Sequence, residues 1–490
     1  MPRLLVIGGS DAGIAAALRA REVAPQLTVT VLVADAFPNF SICGLPFYLS
    51  GEVPDWHNLA HRTAADIEAN GVELLLDTRA DTIDAVTRIV TATDAQRMAR
   101  ALPFDRLVIA TGASPARPPI AGLGLPGVFP LHTLEDSFRL QSYLTEHRPR
   151  TAIIVGAGYI GVEMADALSR RGIAVTLVQR GPSVLATVEP TIATVVAEEL
   201  RRHGVAVVTG VGVEGIAQVD GQLVVTGFSR TQPASSREIA HPPSGVTPQA
   251  FRAAADLVLV AAGVRPETDL ARSAGAAIGG QDTRGAIRVT HAMETNVPGI
   301  YAAGDCVETW HRLLGRPTYL PLGTTAHKQG RIAGENAALD AVSARSASVG
   351  GEPHRRQFAG TLGTQVVKVF DLAVARTGLL QAEAQTAGFD ALTVEAVLWD
   401  HKRYYPRAHA LHIRVTGDRR NGRLRGAQIV GHWQAEVAKR IDIFAIALFH
   451  GMRVDELNDL DLSYTPPVSS PWDPVQMAAQ EWAYDHDRHS

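Results

Sequence analysis

The sequence predicts an α/β protein, and three observations support that fold class. Glycine-rich turns follow apolar strands and open helices at two places, "RLLVIGGSDAGIAAALRAREV" (residues 3–23) and "TAIIVGAGYIGVEMADALSRRG" (residues 151–172). This context is typical of a unit that binds a pyrophosphate at the positive end of the helix. A third apolar strand, in "TNVPGIYAAGDCVET" (residues 295–309), ends at Gly304-Asp305. Two such units in one chain predict two bound dinucleotides.

The first turn places glycines where a backbone must approach a phosphate. Its strand ends at Gly8, the helix begins near Gly13, and Ser10 takes the place of the usual middle glycine. Glycine has no Cβ that would keep a pyrophosphate away from the helix N-terminus. The next strand, "LTVTVLVAD", ends at Asp35, whose carboxylate we expect to accept hydrogen bonds from a ribose.

The second turn has the full G-x-G-x-x-G spacing, with Gly156, Gly158 and Gly161 in register. The following strand, "IAVTLVQRG", ends in Gln179-Arg180 where an acidic residue would hold a ribose 2′-hydroxyl. An arginine at that place suits a 2′-phosphate instead. We therefore predict NADPH, with NADH as the second choice; the alternative is that Arg180 lies on a solvated edge.

Size and composition exclude several classes of protein. A chain of 490 residues is long enough for two or three domains. Its net charge is -4, and no long basic stripe suggests nucleic-acid binding. No apolar run reaches the roughly 20 residues that cross a bilayer. Two cysteines make no disulfide framework, and the chain opens at once on a strand, which leaves no room for a signal peptide. We expect a cytoplasmic protein without nucleic-acid or membrane partners and without a metal site.

Taken together, the motifs resemble those of the flavin-dependent pyridine nucleotide-disulfide oxidoreductases. Their order is an FAD turn, a redox cysteine in "NFSICGLPFY" (residues 39–48), a crossing strand "LVIATGASPARP" (107–118), an NAD(P) turn, a second crossing "LVLVAAGVRPETD" (257–269) and the flavin motif at Gly304-Asp305. The resemblance covers nearly the whole chain. It implies two Rossmann-like dinucleotide-binding domains, for FAD and NAD(P)H, and a C-terminal α+β dimerisation domain.

The resemblance also implies which residues bind each cofactor. FAD would be bound by Gly8, Ser10, Gly13, Asp35, Thr111, Gly112, Gly304 and Asp305. NADPH would be bound by Gly156, Gly158, Tyr159, Ile160, Gly161, Glu163, Gln179, Arg180 and Gly263, with Glu163 near the nicotinamide.

Within this family, the single cysteine resembles the coenzyme A-disulfide reductase and NAD(P)H oxidase branch. Cys43 has no C-x-x-x-x-C partner, and no C-terminal His-Pro…Glu base follows. The dimerisation domain of that branch places tyrosines into the partner subunit's active site. Tyr464, with Tyr404 or Tyr405, occupies the matching positions, so the resemblance implies a homodimer that shares its active site. Ile42 stands where the branch often has asparagine.

One thiol must pair with something outside the chain. The partner is a substrate thiol, giving a mixed disulfide, or an oxygen atom, giving a sulfenic acid. The turn after Cys43 would present backbone N–H dipoles that favour the thiolate. We predict that NADPH reduces FAD, that two electrons pass to a mixed disulfide of Cys43, and that a tyrosine protonates the leaving thiolate. The expected substrate is a small disulfide or persulfide, most of all coenzyme A disulfide, with Arg19, Arg21 and Arg62 as candidates for its phosphates.

Two alternatives stay open. The first is an NAD(P)H oxidase or peroxidase in which Cys43 cycles through sulfenic acid; such enzymes carry a histidine in the first glycine turn, where this chain has Asp11, and an acid would repel a thiolate. The second is a flavoprotein that reduces a protein acceptor, with Cys43 as a small buried residue. Cys306, which follows the flavin motif, is expected to be structural.

The motif order predicts the domain boundaries. We expect residues 1–118 and 265–340 to form the FAD domain, 119–264 the NAD(P)H domain, 350–475 the dimerisation domain and 476–490 a solvated tail. The stretch 228–250 is polar, rich in proline and serine, and longer than its position needs, which predicts a surface insertion in the NAD(P)H domain.

Overall fold

The computed structural model of the chain describes residues 1–229, 249–343 and 355–488. The chain forms two compact units, each assembled from separate segments. The first unit comprises Met1–Leu45, Pro54–Ala116 and Val264–Thr361, and the second comprises Pro46–Val53, Arg117–Gly263 and Leu362–Ser490.

Helices separate runs of one to several consecutive strands along the chain. The strands are β1 (Arg3–Ile7), β2 (Thr28–Leu32), β3 (Val72–Leu75), β4 (Arg79–Asp84), β5 (Ile89–Thr93), β6 (Ala99–Pro103), β7 (Arg106–Ile109), β8 (Ala113–Pro115), β9 (Val128–Pro130), β10 (Thr151–Val155), β11 (Ala174–Gln179), β12 (Ala206–Thr209), β13 (Val211–Val219), β14 (Gln222–Ser229), β15 (Ala250–Ala255), β16 (Leu257–Val260), β17 (Val264–Pro266), β18 (Ile300–Ala302), β19 (Thr309–His311), β20 (Arg316–Thr318), β21 (Gln365–Val369), β22 (Leu372–Gly378), β23 (Ala391–Trp399), β24 (Ala410–Asp418) and β25 (Leu424–His432). The helices are α1 (Asp11–Val23), α2 (Leu45–Ser50), α3 (Ala64–Ala69), α4 (Leu134–His147), α5 (Tyr159–Arg170), α6 (Pro190–Arg202), α7 (Asp269–Ser273), α8 (Gly323–Ser343), α9 (Gln381–Thr386), α10 (Val437–His450) and α11 (Pro474–Arg488).

A parallel sheet of order β18-β7-β1-β2-β3 forms the centre of the first unit. Its strands are short runs of buried aliphatic residues, as expected for a sheet covered on both faces. Helices α1 and α8 pack very closely, because a Cβ on Gly330 or Gly334 of α8 would lie 2.1 Å from the carbonyl oxygen of Ala12 or Ala16. This packing brings residues about 300 positions apart in the chain onto one surface.

The described part of the second unit contains one parallel sheet and two antiparallel sheets. The parallel sheet has the order β12-β11-β10-β16-β9, and the smaller antiparallel sheet has the order β13-β14-β15. The larger antiparallel sheet, which we call the C-terminal sheet, has the order β21-β22-β25-β24-β23 and packs against α10 and α11. Two parallel dinucleotide-type sheets and a C-terminal α+β part confirm the predicted fold class.

The expectation of a solvated tail at 476–490 is wrong for the residues described there. Helix α11 runs to Arg488, and its Trp482 is 1% exposed. The Trp482 indole N–H donates to the carbonyl oxygen of Leu392 at 2.9 Å, which anchors the helix to β23. Val475, Ala478 and Ala479 share this buried face, so the apolar residues of the segment form a helical stripe that packs on the sheet.

Two other expectations concern the insertion at 228–250 and membrane-spanning helices. The predicted insertion 228–250 lies mostly outside the described residues, since β14 ends at Ser229, β15 begins at Ala250, and residues 230–248 are not described. Among the helices that are described, none combines the length and the apolar character that a membrane span requires.

Candidate active site

The first glycine turn has a backbone that only glycine can form at two points. Gly8 has a φ of 120°, and a Cβ there would lie 2.0 Å from the carbonyl oxygen of Ala110. A Cβ on Gly13 would lie 1.9 Å from the carbonyl oxygen of Gly8. Ser10 is the extended N-cap residue of α1. The turn therefore fits the pyrophosphate of a dinucleotide such as FAD, which the N-terminus of α1 would bind.

The flavin motif lies in the same unit. Gly304 has a φ of 89°, and burial, with the nearby carboxylate of Asp11, raises the pKa of Asp305 to about 6. The Tyr319 hydroxyl donates to the main-chain oxygen of Asp305 at 3.0 Å and fixes the loop. A half-buried carboxyl group of this kind suits the hydroxyls of a sugar or polyol chain.

The remaining predicted FAD residues lie at strand ends of the first unit. Asp35 is exposed three residues beyond β2, and its carboxylate accepts the Phe37 N–H at 2.8 Å. The Thr111 hydroxyl donates to the carbonyl oxygen of Glu267 at 2.6 Å. Gly112 has a φ of 70° and open space where a Cβ would stand. These are the carboxyl ends of parallel strands, where ligands bind in α/β folds.

Cys43 is exposed in a short 3-10 helix, Ile42–Gly44, that leads into α2. The segment before it is tied to the first glycine turn, because the N–H of Asn39 donates to the carbonyl oxygen of Gly9 at 2.7 Å. Cys306 lies in a different environment, buried in the core of the first unit. It is fully buried, its thiol donates to the carbonyl oxygen of Ala303 at 3.3 Å, and burial raises its pKa to about 11. Of the two cysteines, only Cys43 is placed to react with a soluble substrate.

The second glycine turn repeats the construction of the first. A Cβ on Gly156 would lie 2.3 Å from the carbonyl oxygen of Ala261, and one on Gly161 would lie 1.9 Å from that of Gly156. Gly158 is the N-cap residue of α5 and has open space beside it, as does Gly263, which has a φ of 95°. This turn also fits a dinucleotide pyrophosphate.

The residues around the second turn are polar. The Ala157 N–H donates to the side-chain oxygen of Gln179 at 3.2 Å. Arg180 is exposed just beyond β11 and forms no ion pair with a carboxylate in the described part of the chain, so its charge is available to an anion. The Thr187 hydroxyl donates to that of Tyr159 at 3.1 Å, and the neighbouring Ile160 is half-buried.

Glu163 carries a strongly perturbed carboxyl group. Burial, together with the charge of Asp166, raises its pKa to about 8, and the ammonium of Lys368 opposes that shift. Lys368 Nζ lies 3.5 Å from the Asp166 carboxylate. Glu163 is therefore mostly neutral at pH 7. A neutral carboxyl at this helix start does not repel a bound pyrophosphate.

The structure brings two of the three predicted tyrosines together. The hydroxyls of Tyr404 and Tyr464 share a hydrogen bond. The pKa of Tyr464 is raised, mainly by partial desolvation and to a smaller extent by the Tyr404 hydroxyl. Both rings are exposed, at 75% and 45%. Tyr405 does not join this pair; its ring meets that of His401 edge-on at 5.9 Å.

A cavity of about 260 Å³ lies beside the first turn, within the first unit. Its charged lining includes Arg19, Arg62, His327 and Arg331, with Asp11 at the start of α1. Arg19 pairs with Glu335 and Glu22, both at 2.7 Å, so its charge is compensated. Arg62 and Arg331 form no ion pair with any carboxylate that the structure describes. The cavity therefore presents two guanidinium groups that lie outside any described ion pair, and the carboxylates of Asp11 and Glu22 also line it.

Two residues that line this cavity were not among the substrate candidates, and one of the candidates lies outside it. His327 and Arg331 lie four positions apart on α8, a spacing that puts both on one helix face. Burial and the charge of Arg331 lower the pKa of His327. Arg21 does not line the cavity; its guanidinium donates to the carbonyl oxygens of Leu27 and Asn70.

Comparison with known proteins places the chain among flavoprotein reductases. It is 31% identical over 478 residues, 97% of both chains, to a protein of Pyrococcus abyssi named NAD(P)H sulfur oxidoreductase (CoA-dependent). It is 30% identical to an NADH oxidase of Methanocaldococcus jannaschii over 98% of both chains. A coenzyme A disulfide reductase of Staphylococcus haemolyticus is 27% identical and covers 97% of this chain and 98% of its own.

Solved structures and family models agree with these relatives. The NAD-dependent persulfide reductase of A. fulgidus superimposes with a TM-score of 0.87 at 34% identity, covering 99% of this chain and 84% of its own. The dimerisation-domain model of the pyridine nucleotide-disulphide oxidoreductases matches residues 364–474, which indicates a homodimer. The main model of the same family matches residues 2–330. The chain therefore belongs to the pyridine nucleotide-disulphide oxidoreductase family, whose members are FAD-dependent NAD(P)H oxidoreductases.

Proposed function

We propose that this enzyme reduces a low-molecular-weight disulfide or persulfide with NADPH, through FAD and Cys43, and that its preferred substrate is coenzyme A disulfide. The observation that supports this most is the cavity beside the first turn, with the guanidinium groups of Arg62 and Arg331, neither of which forms an ion pair among the described residues. Coenzyme A carries a pyrophosphate and a 3′-phosphate, and guanidinium groups bind phosphate oxygens in pairs.

The cavity suits the nucleotide part of such a substrate. Its volume, about 260 Å³, falls just under the range of about 300–1,000 Å³ of whole-ligand pockets. Asn39, which also lines the cavity, precedes Cys43 by four residues. In this proposal the phosphates bind at Arg62 and Arg331 while the flexible thiol arm of the substrate extends along the chain towards Cys43.

The reaction consumes one NADPH for each disulfide. The Cys43 thiolate attacks one sulfur of the disulfide, the substrate S–S bond breaks, and one half leaves as a thiolate while the other stays bonded to Cys43. FAD, held by the first glycine turn and Asp305, would supply a two-electron relay between NADPH and sulfur. Two-electron reduction of the mixed disulfide breaks its S–S bond and leaves the Cys43 thiolate and the second substrate thiolate. With a proton for each leaving thiolate and Cys43 restored, the sum is NADPH, one proton and a disulfide giving NADP⁺ and two thiols.

The proton source in this proposal is the tyrosine pair of the partner subunit. Because the pKa of Tyr464 is raised, its phenol stays protonated near neutral pH and donates without competing as an anion. The hydrogen bond with Tyr404 orients the two hydroxyls. A phenol is acidic enough to protonate a departing thiolate.

The preference for NADPH rests on Arg180. The residue is exposed beyond β11, where an acid would otherwise bind the ribose 2′-hydroxyl. Its guanidinium has no carboxylate partner among the described residues, so a 2′-phosphate would give it one.

A second candidate function is NAD(P)H oxidation by oxygen or peroxide, with a sulfenic acid on Cys43. The relative in M. jannaschii, named as an NADH oxidase at 30% identity, favours it. Asp11 argues against it, because the resemblance associates such enzymes with a histidine at this position of the first glycine turn.

A steady-state assay separates these functions. Purified holoenzyme is given NADPH with coenzyme A disulfide, coenzyme A persulfide, oxygen or peroxide in separate reactions, the sulfur substrates under anaerobic conditions. Turnover with either sulfur substrate supports the proposal. Turnover with oxygen or peroxide alone identifies the oxidase, and NADPH oxidation only with an added protein acceptor identifies an electron-delivery flavoprotein.

A further inference from the structure

Residues 180–189 connect β11 to α6, and we call them the coenzyme loop. The loop contacts the second glycine turn directly. The Leu185 N–H donates to the carbonyl oxygen of Ala157 at 2.8 Å, and the Thr187 hydroxyl donates to that of Tyr159 at 3.1 Å. Leu185 has a φ of 43°, which is rare for a branched side chain and holds only where surrounding contacts enforce it. The position of the loop therefore sets the position of the turn.

The far side of the coenzyme loop is held by the C-terminal sheet. Arg376 on β22 donates to the main-chain oxygen of Thr187 at 2.6 Å. Its other nitrogen donates to the Glu383 carboxylate and to the carbonyl oxygen of Gly378, both at 2.7 Å. At the end of the loop, the Glu189 N–H donates to the side-chain oxygen of Gln428 on β25, also at 2.7 Å.

Arg376 is an unusual residue for a sheet interior. Its side chain is only 9% exposed, and arginine is seldom buried unless it is paired. Glu383 offsets the charge, and the planar guanidinium donates to three acceptors at once. A charged hydrogen bond to the Thr187 carbonyl makes the loop rigid at the residue whose hydroxyl contacts Tyr159.

From these contacts we infer that Arg376 is a positioning residue for NAD(P)H: it holds Thr187, and through Thr187 it holds Tyr159 and the second glycine turn in the form that accepts the dinucleotide. The strand that carries Arg376 begins more than 200 residues after the turn in the sequence. The C-terminal sheet thus contributes to coenzyme binding without touching the coenzyme.

The test uses FAD-loaded enzyme and calorimetric titration with NADP⁺ and, separately, NAD⁺. Arg376→Met removes the charged hydrogen bond, and we expect the Kd of both nucleotides to rise about tenfold, while the KM for the sulfur substrate stays unchanged. Arg376→Lys should restore part of the affinity, because one ammonium can reach only some of the acceptors.

Arg425→Met is the matched control. Arg425 lies on β25 of the same sheet, is 14% exposed, pairs with Asp418 at 3.0 Å and stacks on Phe389, but it does not contact the coenzyme loop. Its Nε, like that of Arg376, has no hydrogen-bond partner among the described residues. We expect nucleotide affinity within about twofold of the wild type in this control.

Wild-type affinity in Arg376→Met, or an equal loss in Arg425→Met, would overturn the inference. If Arg376→Met does not retain FAD, Arg376→Lys and Thr187→Val carry the test. Thr187→Val keeps the main-chain acceptor but removes the hydroxyl bonded to Tyr159, and it should weaken both nucleotides about threefold. Wild-type affinity in both of these variants would also refute the inference. Nucleotide binding is measured without a sulfur substrate, so a wrong substrate assignment would leave this result intact.

Discussion

Arg331 offers the sharpest test of the proposed substrate. The residue lines the cavity beside the first turn and forms no ion pair in the described chain, so its replacement breaks no salt bridge. A charged hydrogen bond contributes about 1.5–3 kcal/mol net, and solvent screening at an exposed position reduces that to about 1–2 kcal/mol. Arg331→Met should therefore raise the KM for coenzyme A disulfide by about 5–30-fold.

The assay compares two substrates and two variants. Pantethine carries the same thiol arm and disulfide as coenzyme A disulfide but lacks the nucleotide phosphates, so Arg331→Met should leave its KM unchanged. Lys328→Met is the control, since Lys328 is exposed on the same helix and does not line the cavity. It removes the same charge, and we expect less than about a twofold change with either substrate. The effect of Arg331→Met should also shrink in about 1 M salt, where the Debye length falls to about 3 Å.

Two results would contradict a phosphate-binding role for Arg331. If Arg331→Met raises the KM for pantethine as much as that for coenzyme A disulfide, the residue does not act on phosphates. If Lys328→Met has the same effect as Arg331→Met, only the overall field of α8 matters, and the cavity is not a phosphate site. Arg331 is exposed, so its loss is expected to leave the melting temperature nearly unchanged, which melting curves of each variant verify.

Three further predictions address the sulfur, the coenzyme and a buried carboxyl. Cys43→Ser should keep bound FAD and its bleaching by NADPH but lose disulfide turnover, whereas Cys306→Ala should cost about 1 kcal/mol of stability and retain turnover; unimpaired turnover in Cys43→Ser would exclude the thiol mechanism. Arg180→Ala should raise the KM for NADPH about 10–100-fold and that for NADH less than about twofold, and equal effects would show that no 2′-phosphate binds there. The pKa of Glu163 is raised from 4.5 to about 8, so the folded protein holds a proton that the unfolded chain releases, and stability falls as the pH rises through that interval. The melting temperature of the wild type should therefore drop more between about pH 6 and pH 9 than that of Glu163→Gln, and parallel curves would contradict the shift.

Short sequence motifs predicted the fold well because each motif by itself determines the local backbone geometry. A G-x-G-x-x-G spacing after an apolar strand specifies a turn in which Cβ atoms would collide with carbonyl oxygens, and both turns have that construction. The cavity was harder to predict. Arg331 meets Asp11 and Arg62 only because small residues let α8 pack tightly on α1, and no short-range signal reports such a contact. The prediction of a solvated C-terminal tail was wrong for a different reason. The segment is rich in charged residues, and its few apolar residues, which end at Trp482, form one buried face of a helix.

The two glycine turns have nearly the same backbone construction. In both, a Cβ on a glycine would lie about as close to a carbonyl oxygen, so the turns themselves would not distinguish their ligands. The difference comes from residues supplied by distant segments. Asp305 and the arginine-lined cavity surround the first turn, whereas the second has a carboxyl that is mostly neutral at pH 7, Glu163, and a loop held by Arg376. Because these neighbours come from elements far along the chain, the choice of ligand at each turn depends on tertiary packing, and substitutions at α8 or β22 should alter ligand affinity without any change in the glycines of either turn.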